Sequence, residues 1–135
     1  MKNVFIDIKF LKELIGISIL VLILHTFALL FFLYWTIGWF DILMHFLGGA
    51  TMGFLAVYIF FTSGYIKPIA RLKNNQIVLF LLIVFFTLII GLVWELWEVF
   101  VQFTDLIKDG PDTILDLIMD FIGAVSVYFY VKGRI

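Results

Sequence analysis

Seven polar residues recur at helical spacing inside stretches otherwise made of Leu, Ile, Phe and Val: Asp41 with His45, Glu95 with Glu98, and Asp112 with Asp116 and Asp120. Steps of three or four place each set on one face of a helix. Carboxylates accompanied by one imidazole are donors for a hard or borderline divalent cation, so Mg²⁺, Mn²⁺, Ca²⁺, Fe²⁺ or Zn²⁺ suits them, and the donors suffice for one ion or two. Protonation is the other way to relieve so many converging carboxylates, because burial and like charge both favour the neutral acid.

The elements that must position these residues are membrane spans. The chain is 135 residues long, 64% hydrophobic, 19% aromatic and only 14% charged, which is too little polar surface to coat a soluble globule. It reads as a single transmembrane domain. A net charge of −1 without a basic patch excludes nucleic acid as a partner, and the absence of cysteine excludes disulfides, thiolate chemistry and sulfur ligands.

Apolar stretches long enough to cross ~30 Å of hydrocarbon run from about 14–34, 42–61, 77–103 and 113–131. They lack the alternation of a membrane barrel, so the expected fold is all-α, an antiparallel bundle of four transmembrane helices. The first stretch is too long for a signal-peptide core and has no small-residue cleavage site, so it is expected to be a retained anchor. Lys2, Lys9, Lys12, Lys67, Arg71, Lys73, Lys132 and Arg134 share one side, and Lys108 alone lies opposite. That asymmetry predicts a multi-pass cell-membrane protein with both termini cytoplasmic. At ~1.5 Å per residue, Glu95 lies about 15 Å below Asp105 and Asp120 about 12 Å below Asp112, near the membrane middle.

Intramembrane charge is costly enough to imply function, but several of these acids have simpler readings. Asp41 and Asp112 stand at helix starts, where caps and the macrodipole favour carboxylates, and Pro111 suits a first helical turn. Asp105, Lys108 and Asp109 read as a solvated loop. Glu95 and Glu98 lie toward a helix C-terminus, where the dipole disfavours them, so no capping argument applies. His45 is either a ligand or a hydrogen-bonded core residue. His25, without an acid on its own helix face, is expected to make a hydrogen bond supporting the site or an interhelical bond with an acid. Gly49 and Gly53 continue the Asp41–His45 stripe and predict the close approach of another backbone. Trp35 and Trp39 read as interface anchors, Trp94 and Trp97 as packing beside the polar stripe.

Three ordered segments carry a resemblance: Phe40-Asp41 through His45 with Gly48-Gly49, Trp94-Glu95-Leu96-Trp97-Glu98, and Asp112-Thr113-Ile114-Leu115-Asp116 leading to Ile122-Gly123-Ala124. They resemble the YjdF-like bacterial inner-membrane family and, more distantly, VanZ-like membrane proteins. The resemblance implies a polytopic membrane protein whose matched polar positions are Asp41, His45, Glu95, Glu98, Asp112 and Asp116, without implying a reaction. Asp120 departs from it, standing where a small apolar residue is common.

Three functions compete. The first is a metal-dependent membrane enzyme hydrolysing a lipid or lipid-linked ester from the outer leaflet, with Asp41, His45, Glu95, Glu98, Asp112, Asp116 and Asp120 as the candidate metal residues. The second is a proton or cation transporter, although the inner halves of the spans offer few polar groups beyond Ser18, Thr87 and Ser126. The third is a non-catalytic subunit whose helices an ion staples together.

Overall fold

The computed structural model describes residues 2–101 and 110–135, with side chains from residue 8 onward. Gln102, Asp105, Lys108 and Asp109, which the sequence reading assigned to a helix end and a charged loop, lie outside the described residues. Those described form helices and no strand: α1 Lys2–Leu30, α2 Leu33–Thr36, α3 Phe40–Val57, α4 Lys67–Ala70, α5 Gln76–Phe100 and α6 Gly110–Val131. α3 continues through one wider turn of π-helix, Tyr58–Thr62. Among the described residues, four segments are long and apolar enough to cross a membrane: Ile8–Leu30, Phe40–Thr62, Gln76–Phe100 and Gly110–Val131.

Local chemistry sets the helix ends. Asn75 starts α5 by accepting the Ile77 and Val78 amides on its side-chain oxygen at 3.1 and 3.2 Å, which satisfies two otherwise orphaned donors. Pro68 and Pro111 occupy the first turns of α4 and α6, where a missing amide hydrogen costs nothing. Asp41 lies in the first turn of α3, but the N-cap is Trp39 and makes no side-chain cap bond, so Asp41 contributes there through the helix dipole.

The first span stops at Leu30, short of the Tyr34 expected from hydropathy. Phe32 adopts a left-handed conformation, φ 57°, which breaks the helix although Phe31, Phe32 and Leu33 are apolar. The Phe32 carbonyl then accepts from the Trp35 and Thr36 amides, both at 3.1 Å, and from the Thr36 hydroxyl at 3.0 Å. Hydropathy measures preference for lipid and says nothing about φ. The consequence is that α2 folds back and carries Tyr34 to His25.

Packing follows from small residues, since lipid tails are as apolar as the side chains and supply no hydrophobic drive for helix association. The most extensive contact joins α3 to α6, the second and fourth spans. Gly49 faces Asp120, and Gly53 faces Ala124 and Val127, so the two helices run in the same direction. A Cβ on Gly49 would enter the Asp120 backbone, and one on Gly123 would enter the backbone of Phe46 and Ala50. The glycine stripe thus has a matching glycine on its partner.

α5 runs against both. Gly91 lies beside Leu117 and Asp120, and the Phe80 ring meets Tyr128 at 5.2 Å. α1 packs antiparallel along α3 through Phe10 against Phe54 at 5.2 Å, and through Ala28 against Phe40 and Met44. It makes no backbone-close contact with α5. A groove therefore opens between the first and third spans. The half of the bundle nearest the termini is filled by apolar side chains, with Val57, Leu79, Ile83 and Val131 fully buried.

Candidate metal centre

His45 is the point on which three helices converge. It lies one turn after Asp41 on α3 and is 7% exposed. Its Nε2 is 3.8 Å from Asp41 Oδ1, 3.8 Å from Glu95 Oε1 on α5 and 3.8 Å from Asp116 Oδ2 on α6. Its other nitrogen, Nδ1, lies 3.6 Å from Asp120 Oδ1. Glu95, Asp116 and Asp120 are 3%, 4% and 5% exposed, so the carboxylates meet away from water.

The distances carry information. A hydrogen bond from imidazole to carboxylate needs ~2.7–3.2 Å, so none of the 3.8 Å separations is one. Two donors each ~2.1 Å from a common ion are about 3.4 Å apart at a tetrahedral angle and farther at wider angles. Donor atoms of Asp41, His45 and Asp116 all lie within 4.8 Å of one another, close enough to hold a metal ion. Glu95 Oε1 lies 3.8 Å from the same ring nitrogen but is not part of that mutually close group.

Hydrogen bonding supports the same assignment. Both oxygens of Glu95, Oδ1 of Asp116 and Oδ2 of Asp120 are buried without a hydrogen-bond partner. A buried carboxylate oxygen left unpaired is costly, and a cation among these oxygens would satisfy several together. One nitrogen and several carboxylate oxygens fit a hard or borderline divalent ion.

Asp120 faces the opposite side of the imidazole from the other three acids. At 3.6 Å this too is longer than a hydrogen bond, but it is the position from which a carboxylate, on closing by a few tenths of an ångström, would set the tautomer and aim the other nitrogen. Gly91 makes room for it, because a Cβ there would collide with Asp120 Oδ2. The sequence reading grouped Asp120 with the ligands; its position on Nδ1 separates it from Asp41, Glu95 and Asp116.

Glu98 and Asp112 lie in different surroundings. Glu98 Oε1 accepts a hydrogen bond from Trp94 Nε1 at 2.8 Å, one turn back on α5. Together with Asp41 and the exposed Asp112, it lines an outer cavity of about 350 Å³ walled by Trp35, Trp94 and Trp97. A second cavity of about 370 Å³ lies deeper in the groove, faced by Val21, Leu22, Met44, Met52 and Ile90. His45, Asp120 and Thr87 are among its polar residues, with Ser18, Thr51, His25 and Tyr34, and the Thr87 hydroxyl is buried without a partner.

His25, Tyr34 and Trp94 border both cavities. His25 Nδ1 and the Tyr34 hydroxyl are 2.7 Å apart, and the Trp94 ring meets His25 edge-on at 6.2 Å. Burial, and then the nearby Asp41 and Glu98 charges, push the Tyr34 hydroxyl well above its ordinary value, so it stays a donor throughout the neutral range. His25 is therefore bonded to a tyrosine rather than to an acid. Sequence reasoning missed Tyr34 because the only signal for it, the left-handed Phe32, is conformational.

Fold and site define an α-helical membrane protein with a buried histidine–carboxylate cluster able to hold a metal ion. A family described as "Predicted membrane protein (DUF2238)" matches residues 4–134, and the chain belongs to that family. The match is consistent with the YjdF-like resemblance and extends it over nearly the whole chain. Among curated proteins and among solved structures, no significant match is found.

Proposed function

We propose that this protein is a membrane-embedded, divalent-metal-dependent hydrolase acting on an ester or phosphoester of a lipid or lipid-linked molecule. One observation carries the reading: a single ring nitrogen, His45 Nε2, faces carboxylates from three helices at the same 3.8 Å, with four oxygens of the cluster buried and unpaired. Asp41, His45, Glu95 and Asp116 are the ligands in this reading, and Asp120 orients His45. The distribution of Lys and Arg favours cytoplasmic termini, which puts the cluster in the outer half of the membrane.

When bound, the ion polarises the ester oxygen and lowers the pKa of a water held beside it. With an ion held there by Asp41, His45, Glu95 and Asp116, water would be the nucleophile at carbon or phosphorus and the ester C–O or P–O bond would break; a cluster carboxylate would take the water's proton and pass it to the departing alkoxide. The groove between α1 and α5 supports lipid access, because its wall reaches His45 and Asp120 from the bilayer side.

Transport is the weaker alternative. Beyond Thr87 the bundle closes on Val57, Leu79, Ile83 and Val131, all fully buried, and an ion path would cross that apolar plug. An ion-stapled subunit fits the ligands but leaves the groove and its two cavities unused.

The test begins with elemental analysis of protein purified without chelator, then thermal unfolding with and without added Mn²⁺ or Zn²⁺. An ion at about a hundred times its Kd stabilises by about 2.7 kcal/mol, and His45→Ala abolishes the shift. Protein that neither carries nor responds to any divalent ion would sink the reading. Wild-type protein that binds an ion yet releases no product from a panel of lipid esters reduces it to a staple.

A further inference from the structure

The two cavities differ in a way that specifies a substrate, on the footing that the proposed ion site is correct. With Asp41 committed to that site, Glu98 and Asp112 remain on the outer cavity, and no Lys or Arg lines it among the described residues. Trp35, Trp94, Trp97 and Tyr34 supply its aromatic surface. Aromatic faces beside carboxylates attract an ammonium group, and the carboxylates repel an anion. Asp41 belongs both to the outer cavity and to the ion cluster, so a cationic group in the cavity has the ion as its neighbour.

An ammonium adjoining a group that seeks a divalent ion is the charge pattern of a zwitterionic phospholipid headgroup. The deeper cavity complements it: largely apolar walls for a chain, and among its polar groups two buried unpartnered oxygens, Thr87 Oγ1 and Asp120 Oδ2. The Thr87 hydroxyl is free to donate to an ester carbonyl at the top of such a chain. We infer that the site takes a zwitterionic phospholipid, with phosphate toward the His45 cluster, ammonium between Glu98, Asp112 and the tryptophans, and one chain in the deeper cavity.

The experiment incorporates the whole protein into nanodiscs of equal phosphatidylglycerol, phosphatidylethanolamine and phosphatidylcholine, releases it, and identifies the retained lipids by native mass spectrometry. The expected result is retention of the ammonium lipids over phosphatidylglycerol by about tenfold. Combining Glu98→Gln with Asp112→Asn should abolish the preference, while Mn²⁺ binding by the same preparation stays within about threefold of wild type. Trp97→Leu, at an exposed ring, tests the aromatic wall should the double variant misfold, and is expected to reduce the preference by about threefold or more. Equal or greater retention of phosphatidylglycerol, or a preference unchanged in both variants, overturns the inference. A clear ammonium preference in protein that carries and binds no divalent ion supports the headgroup site and overturns the metal reading alone.

Discussion

At the residue scale, the ring of His45 divides in space the acids that their sequence spacing groups together. Nε2 faces Asp41, Glu95 and Asp116, whereas Nδ1 faces Asp120. Removing a donor and removing an orienting group have different signatures. Asp120→Asn keeps the side chain's size and should lower Mn²⁺ affinity by about 10–100-fold, the usual effect of losing a carboxylate behind a ligating histidine. Asp116→Asn removes a donor and should cost more. Electron paramagnetic resonance titration with Mn²⁺ measures both, and an Asp120→Asn affinity equal to wild type would show that this carboxylate does not steer the ring. The spacing of Asp112, Asp116 and Asp120 revealed a stripe; which side of a particular imidazole each faces is a matter of ångströms set by packing.

At the element scale, the α3–α6 contact holds the site, because it brings Asp116 and Asp120 to His45. Gly49 and Gly48 form a matched pair for testing this. A Cβ at Gly49 meets the Asp120 backbone, whereas one at Gly48 meets nothing within 4 Å. Gly49→Ala should therefore destabilise by about 1–3 kcal/mol or more and weaken ion binding, since α6 must move away with its two acids. Gly48→Ala should be neutral or gain up to about 1 kcal/mol from helix propensity. Unfolding in mild detergent with increasing denaturing detergent compares them, and similar midpoints for the two variants would contradict the packing. The small-xxx-small stripe was legible in the sequence. Its partner was not, because Gly123 on the fourth span and residues on the third were equally available by spacing.

At the scale of the whole molecule, the positions of Lys and Arg predict the membrane orientation, and with it which leaflet the groove opens to. The chain has no cysteine, so single cysteines can be introduced without background. Gly38 and Arg71 are both exposed and lie in connections at opposite ends of the second span. In intact cells, a membrane-impermeant maleimide should label Gly38→Cys and leave Arg71→Cys unlabelled until the membrane is opened. Labelling of Arg71→Cys alone would reverse the orientation and place the site in the inner half. The apolar plug around Leu79 and Ile83 predicts, in addition, proton and cation flux at background in sealed proteoliposomes.

The sequence alone determined what free energy of transfer and helical periodicity control: an all-α fold with four apolar spans, all the acids but Asp7 and Glu13 toward one end of them, and the faces on which Asp41, His45, Glu95 and Asp116 lie. Those properties are local, since a residue's hydropathy and its angle around a helix axis do not depend on what packs against it. Tertiary structure alone decided which stripes meet, that the second and fourth spans pair in parallel, that Asp120 stands behind the imidazole, and that a single left-handed residue, Phe32, brings Tyr34 to His25. Each depends on the shape of surfaces in contact and on one backbone torsion, and neither has a period that a sequence displays.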